Sequence, residues 1–152
     1  MEEAVKTCFE AIISQKKRPL FVAVAGDSGS GKSYLVSLLE THFQKNSLAY
    51  TLINHDDFLI ARKDREPMKT IFYEEGKFKG KSYWEILENM FRLDEFERVI
   101  NELKAGEETS YLPYSRSKGE LETTPRVVEP SDYIIFDTSI MLDEMDFVVM
   151  VD

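Results

Sequence analysis

Leu20-Phe21-Val22-Ala23-Val24-Ala25 runs directly into Gly26-Asp27-Ser28-Gly29-Ser30-Gly31-Lys32-Ser33. The first six residues are all apolar. A run this short and continuous is the pattern of a strand buried on both faces of a parallel sheet. The next eight match G-x-x-x-x-G-K-[ST], and each fixed position has a chemical reason. The glycines let the backbone curl so that successive N–H groups point inward at phosphate oxygens. Lys32 supplies a point charge for the terminal phosphates, and the Ser33 hydroxyl suits Mg²⁺. A helix beginning here adds the positive end of its dipole. Gly26, Asp27, Ser28, Gly29, Ser30, Gly31, Lys32, Ser33 and the adjoining Tyr34 are therefore the expected nucleotide-phosphate cradle.

Outward from this segment, strand and helix alternate. Upstream, Val5, Cys8, Phe9, Ile12 and Ile13 share one helical face over residues 4–13, with Cys8 read as a core residue. Downstream, Leu35, Leu38, Leu39 and Phe43 continue at helical spacing until Asn46-Ser47, and 49–54 reads as a second strand. Strand, helix and strand together make a right-handed βαβ unit. From Asp56 to Lys81 the text turns polar, basic and aromatic, a mobile connection with room for a short helix. Leu93, Phe96, Val99, Ile100 and Leu103 form another amphipathic stripe, stopped by Gly106; residues 109–129 read as a hairpin. Tyr133–Phe136 is a buried strand ending in Asp137, and 147–151 is the last strand. The expectation is an α/β fold with a mostly parallel central sheet, whose ligands bind beyond the carboxyl ends of the strands.

Two sets of carboxylates stand at such ends. Asn54-His55-Asp56-Asp57-Phe58 follows the second strand, and an acid there can accept a hydroxyl proton or orient Mg²⁺. Asp137 has the setting of a Mg²⁺-organising acid. His55 reads as structural and His42 as a surface helix residue. Arg62, Lys63 and Arg65 form one basic cluster, and Arg116 and Lys118 another. Trp84, Tyr111 and Tyr114 are core or interface residues that could also stack on a planar substrate.

Composition sets the bounds. Lys and Arg total 19 against 28 Asp and Glu, a net charge of -9 that disfavours nucleic acid and anionic membranes as partners. No apolar run approaches the roughly 18–20 residues that span a bilayer. One cysteine excludes a disulfide framework and suits a reducing, cytoplasmic setting.

The ordered set resembles the uridine kinase / phosphoribulokinase family. Gly26–Ser33 resembles its loop, and His55-Asp56-Asp57-Phe58 its acceptor motif, in which the first acid is the base; that residue is Asp56 here. Leu93–Gly106 resembles a helix of the family, Leu112–Arg116 its substrate-packing segment, and 128–137 a strand whose usual closing Glu is Asp137 here. Tyr34 stands where the family usually has Thr, the family's D-H-P-D substrate segment is not recognisable around Glu88-Asn89, and Tyr114 lacks the following Asp. The resemblance implies a three-layer P-loop fold over a single kinase-like domain, 1–152, with the family's C-terminal lid and last strand falling beyond it. It implies an ATP- and Mg²⁺-dependent kinase that phosphorylates a hydroxyl of a small metabolite, a nucleoside such as uridine or cytidine. In this reading Asp56 and Lys32 are catalytic, Ser33, Asp56 and Asp137 serve the metal, and Asp57, Tyr114 and Arg116 touch the substrate. A homo-oligomer stays open. The rival reading is a non-catalytic, regulatory nucleotide-binding domain derived from such a kinase.

Overall fold

The computed structural model describes residues 2–27, 29–65, 89–140 and 142–151. The rest of the connection expected up to Lys81, together with Ser28, Trp84 and Glu88, lies outside the described residues. Two compact units emerge. One comprises the chain up to His55 and from Pro130 onward, and the other runs from Asp56 to Glu129.

The first unit is built on four parallel strands: β1 (Leu20–Gly26), β2 (Thr51–Asn54), β7 (Tyr133–Thr138) and β8 (Phe147–Val151). Their order is β2-β7-β1-β8. The consecutive strands β1 and β2 do not pair as neighbours; β7, from the far end of the chain, lies between them. β7 also continues one residue past Asp137, to Thr138. The helices α1 (Glu2–Ser14) and α2 (Lys32–Lys45) flank the sheet.

Strand alternation sorts the side chains. Leu20, Val22 and Val24 lie on one face beside Tyr133 and Ile135, and there they pack with Val5, Phe9 and Ile12 of α1 and Leu35, Val36, Leu39 and Phe43 of α2. The register pairs Val24 with Asp137, so the same alternation carries Asp137 onto the face that α2 covers. Phe21 and Phe136 stack on the opposite face with ring centroids 6.1 Å apart. Cys8 sits at the margin of the core, half-exposed, and burial pushes its thiol up from its ordinary value. His42 is stacked on Phe9 at 5.2 Å, so it is less a surface residue than expected.

Phe43 is the keystone of this face. It is fully buried and meets Phe9, Tyr50 and Tyr133 at 5.1, 5.3 and 5.0 Å between ring centroids. Truncating a buried phenylalanine costs about 3–5 kcal/mol through lost transfer energy and a residual cavity. Phe43→Ala should lose that much in chemical denaturation; a loss below about 1 kcal/mol would mean that the site collapses around the gap.

The second unit packs around Phe58. It contains α3 (Leu93–Lys104) and two antiparallel pairs: β3 (Thr109–Tyr111) with β6 (Arg126–Val128), and β4 (Tyr114–Ser115) with β5 (Glu120–Leu121). These nested pairs are the expected hairpin. Phe58 lies fully buried, 5.0 Å from the Phe96 ring and 4.4 Å from that of Tyr111. Phe96, Val99, Ile100 and Leu103 are buried as the stripe predicts, but Leu93, at the first helical position, is 49% exposed. Arg98 holds Glu95 and Glu102 along the helix, and its hydrogen bond to Glu95 lowers that carboxyl from its usual value.

Candidate active site

β1 ends at Gly26 and α2 begins at Lys32, so the glycine segment joins a strand to a helix as its chemistry requires. The turn is closed by the Ser30 amide, which donates to the Asp27 carbonyl at 3.1 Å. Gly31 occupies the N-cap with φ 89° and ψ 9°, and among the described residues no side chain caps the helix. The ladder starts only at Leu35, whose amide donates to the Gly31 carbonyl at 3.0 Å. The amides before it therefore have no partner within the ladder and suit an anion.

Gly29 and Gly31 both have φ near +85 to +90°, and a Cβ at either would meet nothing within 4 Å among the described residues. The space above them is open; the backbone conformation is what demands glycine. At Gly26 the constraint is reversed, since a Cβ would come within 2.7 Å of the Val151 carbonyl oxygen and 2.8 Å of Ser30 Oγ. Ser30 Oγ is itself buried, with no hydrogen-bond partner among the described residues. An orphaned donor beside an open, glycine-lined turn fits a phosphate oxygen. Gly31→Ala forces an L-residue into the left-handed region at about 1–2 kcal/mol. It should therefore lower both melting temperature and nucleotide affinity, read by thermal unfolding with and without Mg-ATP.

Lys32 opens α2, and its Nζ lies 3.1 Å from Asp137 Oδ1, each side chain being 14% exposed. This pairing unites two residues singled out separately in the sequence. It follows from the face alternation that puts Asp137 beneath α2. Ser33 and Tyr34 follow on the first turn, both exposed, with Tyr34 at 58%. At the neighbouring strand end, the fully buried His55 presents Nδ1 to the Thr138 hydroxyl at 3.3 Å, tying the end of β2 to the end of β7. The structural reading of His55 fits that placement. Among the described residues no three His, Cys, Asp or Glu side chains cluster as a metal site. Ser33 and Asp137 suit the other kind of Mg²⁺ site, in which the nucleotide and water provide most of the oxygens.

The acid turn occupies a 3₁₀ helix, His55–Phe58. In the second unit, Asp56 Oδ2 accepts from Arg116 Nη2 at 2.7 Å. Asp57 is more enclosed: its Oδ2 accepts from the Tyr111 hydroxyl at 2.8 Å and also from Arg126. Burial and the Asp57 charge beside it push the Tyr111 phenol well above its usual range. Arg92 braces the same turn from behind. Its Nη2 donates to the Asp57 and Leu112 carbonyls, both at 2.7 Å, and burial lowers its guanidinium from the ordinary value. Arg65 Nη2 donates to the Tyr114 hydroxyl at 2.5 Å with its guanidinium over the ring, 4.8 Å from the centroid.

Three members of this network were not singled out as site residues in the sequence: Arg92, Arg126 and, in its role on Asp57, Tyr111. Each reaches the acid turn across 35 to 69 residues of chain. Only an arginine at the start of an amphipathic helix and another opening a short strand marked the two cations.

A parallel sheet, a glycine turn leading into α2, and a lysine and an acid meeting above it define a P-loop nucleotide-binding protein of the α/β class. Residues 21–152 match the Phosphoribulokinase / Uridine kinase family, and the chain belongs to that family. Among solved structures, a possible uridine kinase from Bacillus stearothermophilus is similar over 99% of this chain and 80% of its own, with 20% identity and a TM-score of 0.76. A candidate fructose transport system kinase from Silicibacter is similar at 20% identity and TM-score 0.64, over 89% of this chain and 63% of its own. A D-glycerate 3-kinase from Cryptococcus neoformans gives 21% and 0.61, over 90% of this chain and 50% of its own. The chain thus spans only half to four-fifths of these three proteins. No curated protein sequence matches it. Among the described residues no helix is long and apolar enough to cross a membrane.

Proposed function

We propose that the protein is an ATP-dependent phosphotransferase that moves the γ-phosphoryl group onto a hydroxyl of a small metabolite. The observation that carries this reading is Lys32 held against Asp137 at the mouth of an open glycine turn. Gly26–Ser33 and Tyr34 would hold the nucleotide, with Ser30 Oγ and the first amides of α2 donating to phosphate oxygens. Ser33, Asp137 and Asp56 would serve Mg²⁺, which neutralises developing charge on the phosphates when bound. Lys32 stabilises the same charge from the protein side.

Asp56 is the proposed base. As the acceptor oxygen bonds to phosphorus and the bond to the ADP oxygen breaks, the hydroxyl proton passes to the Asp56 carboxylate. Asp57, Tyr114 and Arg116 are the proposed substrate side of the site. The family resemblance supports a nucleoside acceptor such as uridine or cytidine, and one fold neighbour bears the name of a possible uridine kinase. A single domain over 1–152 and a cytoplasmic setting belong to the same reading.

The test is a screen of nucleosides and other hydroxyl metabolites with Mg-ATP, following ADP release and the mass of the product. Transfer to any of them supports the reading. Tight Mg-ATP binding with no transfer across the panel would favour a non-catalytic nucleotide-binding domain instead.

A further inference from the structure

We propose that Arg92 is a positioning residue of the transfer reaction: it clamps the acid turn to the segment that leads into Tyr114 and Arg116, and so fixes where the Asp56 carboxylate stands relative to the acceptor. The inference rests on the kinase reading and names the residue that organises its base.

Arg92 acts at two levels within the second unit. Its backbone belongs to an antiparallel contact that runs beside the turn. The Arg92 amide donates to the Phe58 carbonyl at 2.7 Å and the Ile60 amide to the Met90 carbonyl at 2.9 Å, around a bridge between Leu59 and Phe91. The side chain then crosses the turn. Its guanidinium lies over the Phe58 ring, with Cζ 5.7 Å from the centroid, and Nη2 reaches the Asp57 and Leu112 carbonyls, each at 2.7 Å. One nitrogen on both oxygens holds them no farther apart than twice that distance. Asp57 directly follows the proposed base, and Leu112 stands two residues before Tyr114 on the proposed substrate side. A single atom thus sets the spacing of two segments that lie far apart in the chain.

The arrangement is a poor choice for stability alone. The guanidinium is half-buried, and among the described residues no carboxylate lies in ion-pair range of it. Its Nε is buried with no hydrogen-bond partner among those residues. Desolvating a charge and leaving a donor unmet are both unfavourable. An apolar chain of similar length would cover Phe58 without either penalty. What it could not do is tie two carbonyls together. The other tie between these segments, Arg116 on Asp56, is of a different kind. The Arg116 side chain is 80% exposed, and water and salt compete for such a pair. Arg92 is the tie that persists when the site opens to its acceptor. It grips main-chain oxygens, so it sets the backbone and leaves the Asp56 carboxylate to its chemistry. A base must stand within hydrogen-bond reach of the proton it takes, and a displacement of about 1 Å can lower the rate about a hundredfold.

The experiment uses Arg92→Met, which keeps the stem over Phe58 and removes the donors. Its melting temperature should stay close to that of the wild type. Turnover is followed as ADP release from Mg-ATP with uridine, ribose or glycerol as acceptor, and with water alone. On any acceptor that the wild type uses, kcat should fall roughly 10–100-fold, with the affinity for Mg-ATP unchanged. The decisive measurement is a double-mutant cycle. If Arg92 acts through Asp56, Arg92→Met should cost little further rate in the Asp56→Asn background. An equal loss in both backgrounds would overturn the proposal, as would a folded Arg92→Met with wild-type kcat. Arg92→Lys carries the same cycle if the methionine variant does not fold. Hydrogen exchange without any ligand tests the clamp apart from activity. Exchange over residues 56–60 and 109–116 should quicken together in Arg92→Met, and unchanged exchange would remove the clamp. A wild-type chain that turns over none of these acceptors would count against the kinase reading, while exchange still decides whether Arg92 holds the turn.

Discussion

Lys32→Ala should weaken Mg-ATP binding by about a hundredfold or more while the protein stays folded. A hydrogen bond to a charged group contributes about 1.5–3 kcal/mol, and a hundredfold in affinity corresponds to about 2.7 kcal/mol. The substitution does more than remove a donor, because it uncovers the Asp137 carboxylate that Lys32 faces at 3.1 Å. That charge would then repel the phosphates. Asp137 retains 14% exposure, so the unfolding cost should be modest beside that of a fully buried broken pair. Calorimetry against Mg-ATP and a circular-dichroism melt decide both halves. Unchanged affinity would remove the phosphate-cradle reading altogether.

Asp56→Asn should lower turnover by roughly 10²–10⁴-fold, the usual range for a lost general base, a far larger effect than on Mg-ATP binding, where Ser33 and Asp137 still serve the metal. The amide keeps the shape of the carboxylate but cannot take up the acceptor proton. It also weakens the link to Arg116, so KM for the acceptor should change along with kcat. Asp57→Asn provides the contrast. The Asp57 carboxylate is held by Tyr111 and Arg126 and braces the β3–β6 pair, so its loss should appear first in stability. Steady-state kinetics on both variants assign the roles. Full activity in Asp56→Asn with loss in Asp57→Asn would move the base one residue along the turn.

The nucleotide side of this molecule was legible in the sequence because its chemistry is contiguous. A buried strand, two left-handed glycines, a lysine and a helix start fall within fourteen consecutive residues, and local sterics dictate most of their arrangement. Asp137 was legible for a related reason: an acid at the end of an apolar strand is conspicuous. What it would face was not, since that depends on β7 inserting between β1 and β2 with Val24 opposite Asp137. Nothing in a local pattern specifies that pairing. The arginine partners of the acid turn were hidden for the same physical reason. Arg116 and Arg126 are 60 and 69 residues from the acids they hold, and a lone arginine in a loop looks identical whether it is solvated or paired. The departure at Leu93 is smaller. Helical spacing assigned it to the buried stripe, but the core faces the later turns of α3 and leaves its first residue 49% exposed.

The contact between Lys32 and Asp137 makes the glycine turn a discriminating one. With each charge already answered by the other, Lys32 offers a stray inorganic anion less than an unpaired lysine would, leaving mainly the amides that open α2 to attract it. Such an anion could draw Lys32 away only by stranding a nearly buried carboxylate, and that penalty offsets most of the gain. On the proposed reading, a ligand that arrives as a metal–anion composite would escape the penalty, its cation meeting Asp137 while its oxygens meet Lys32. The exchange then conserves charge on both sides. Free phosphate and metal-free nucleotide should therefore bind more weakly than the metal-bound nucleotide, because each is electrically incomplete.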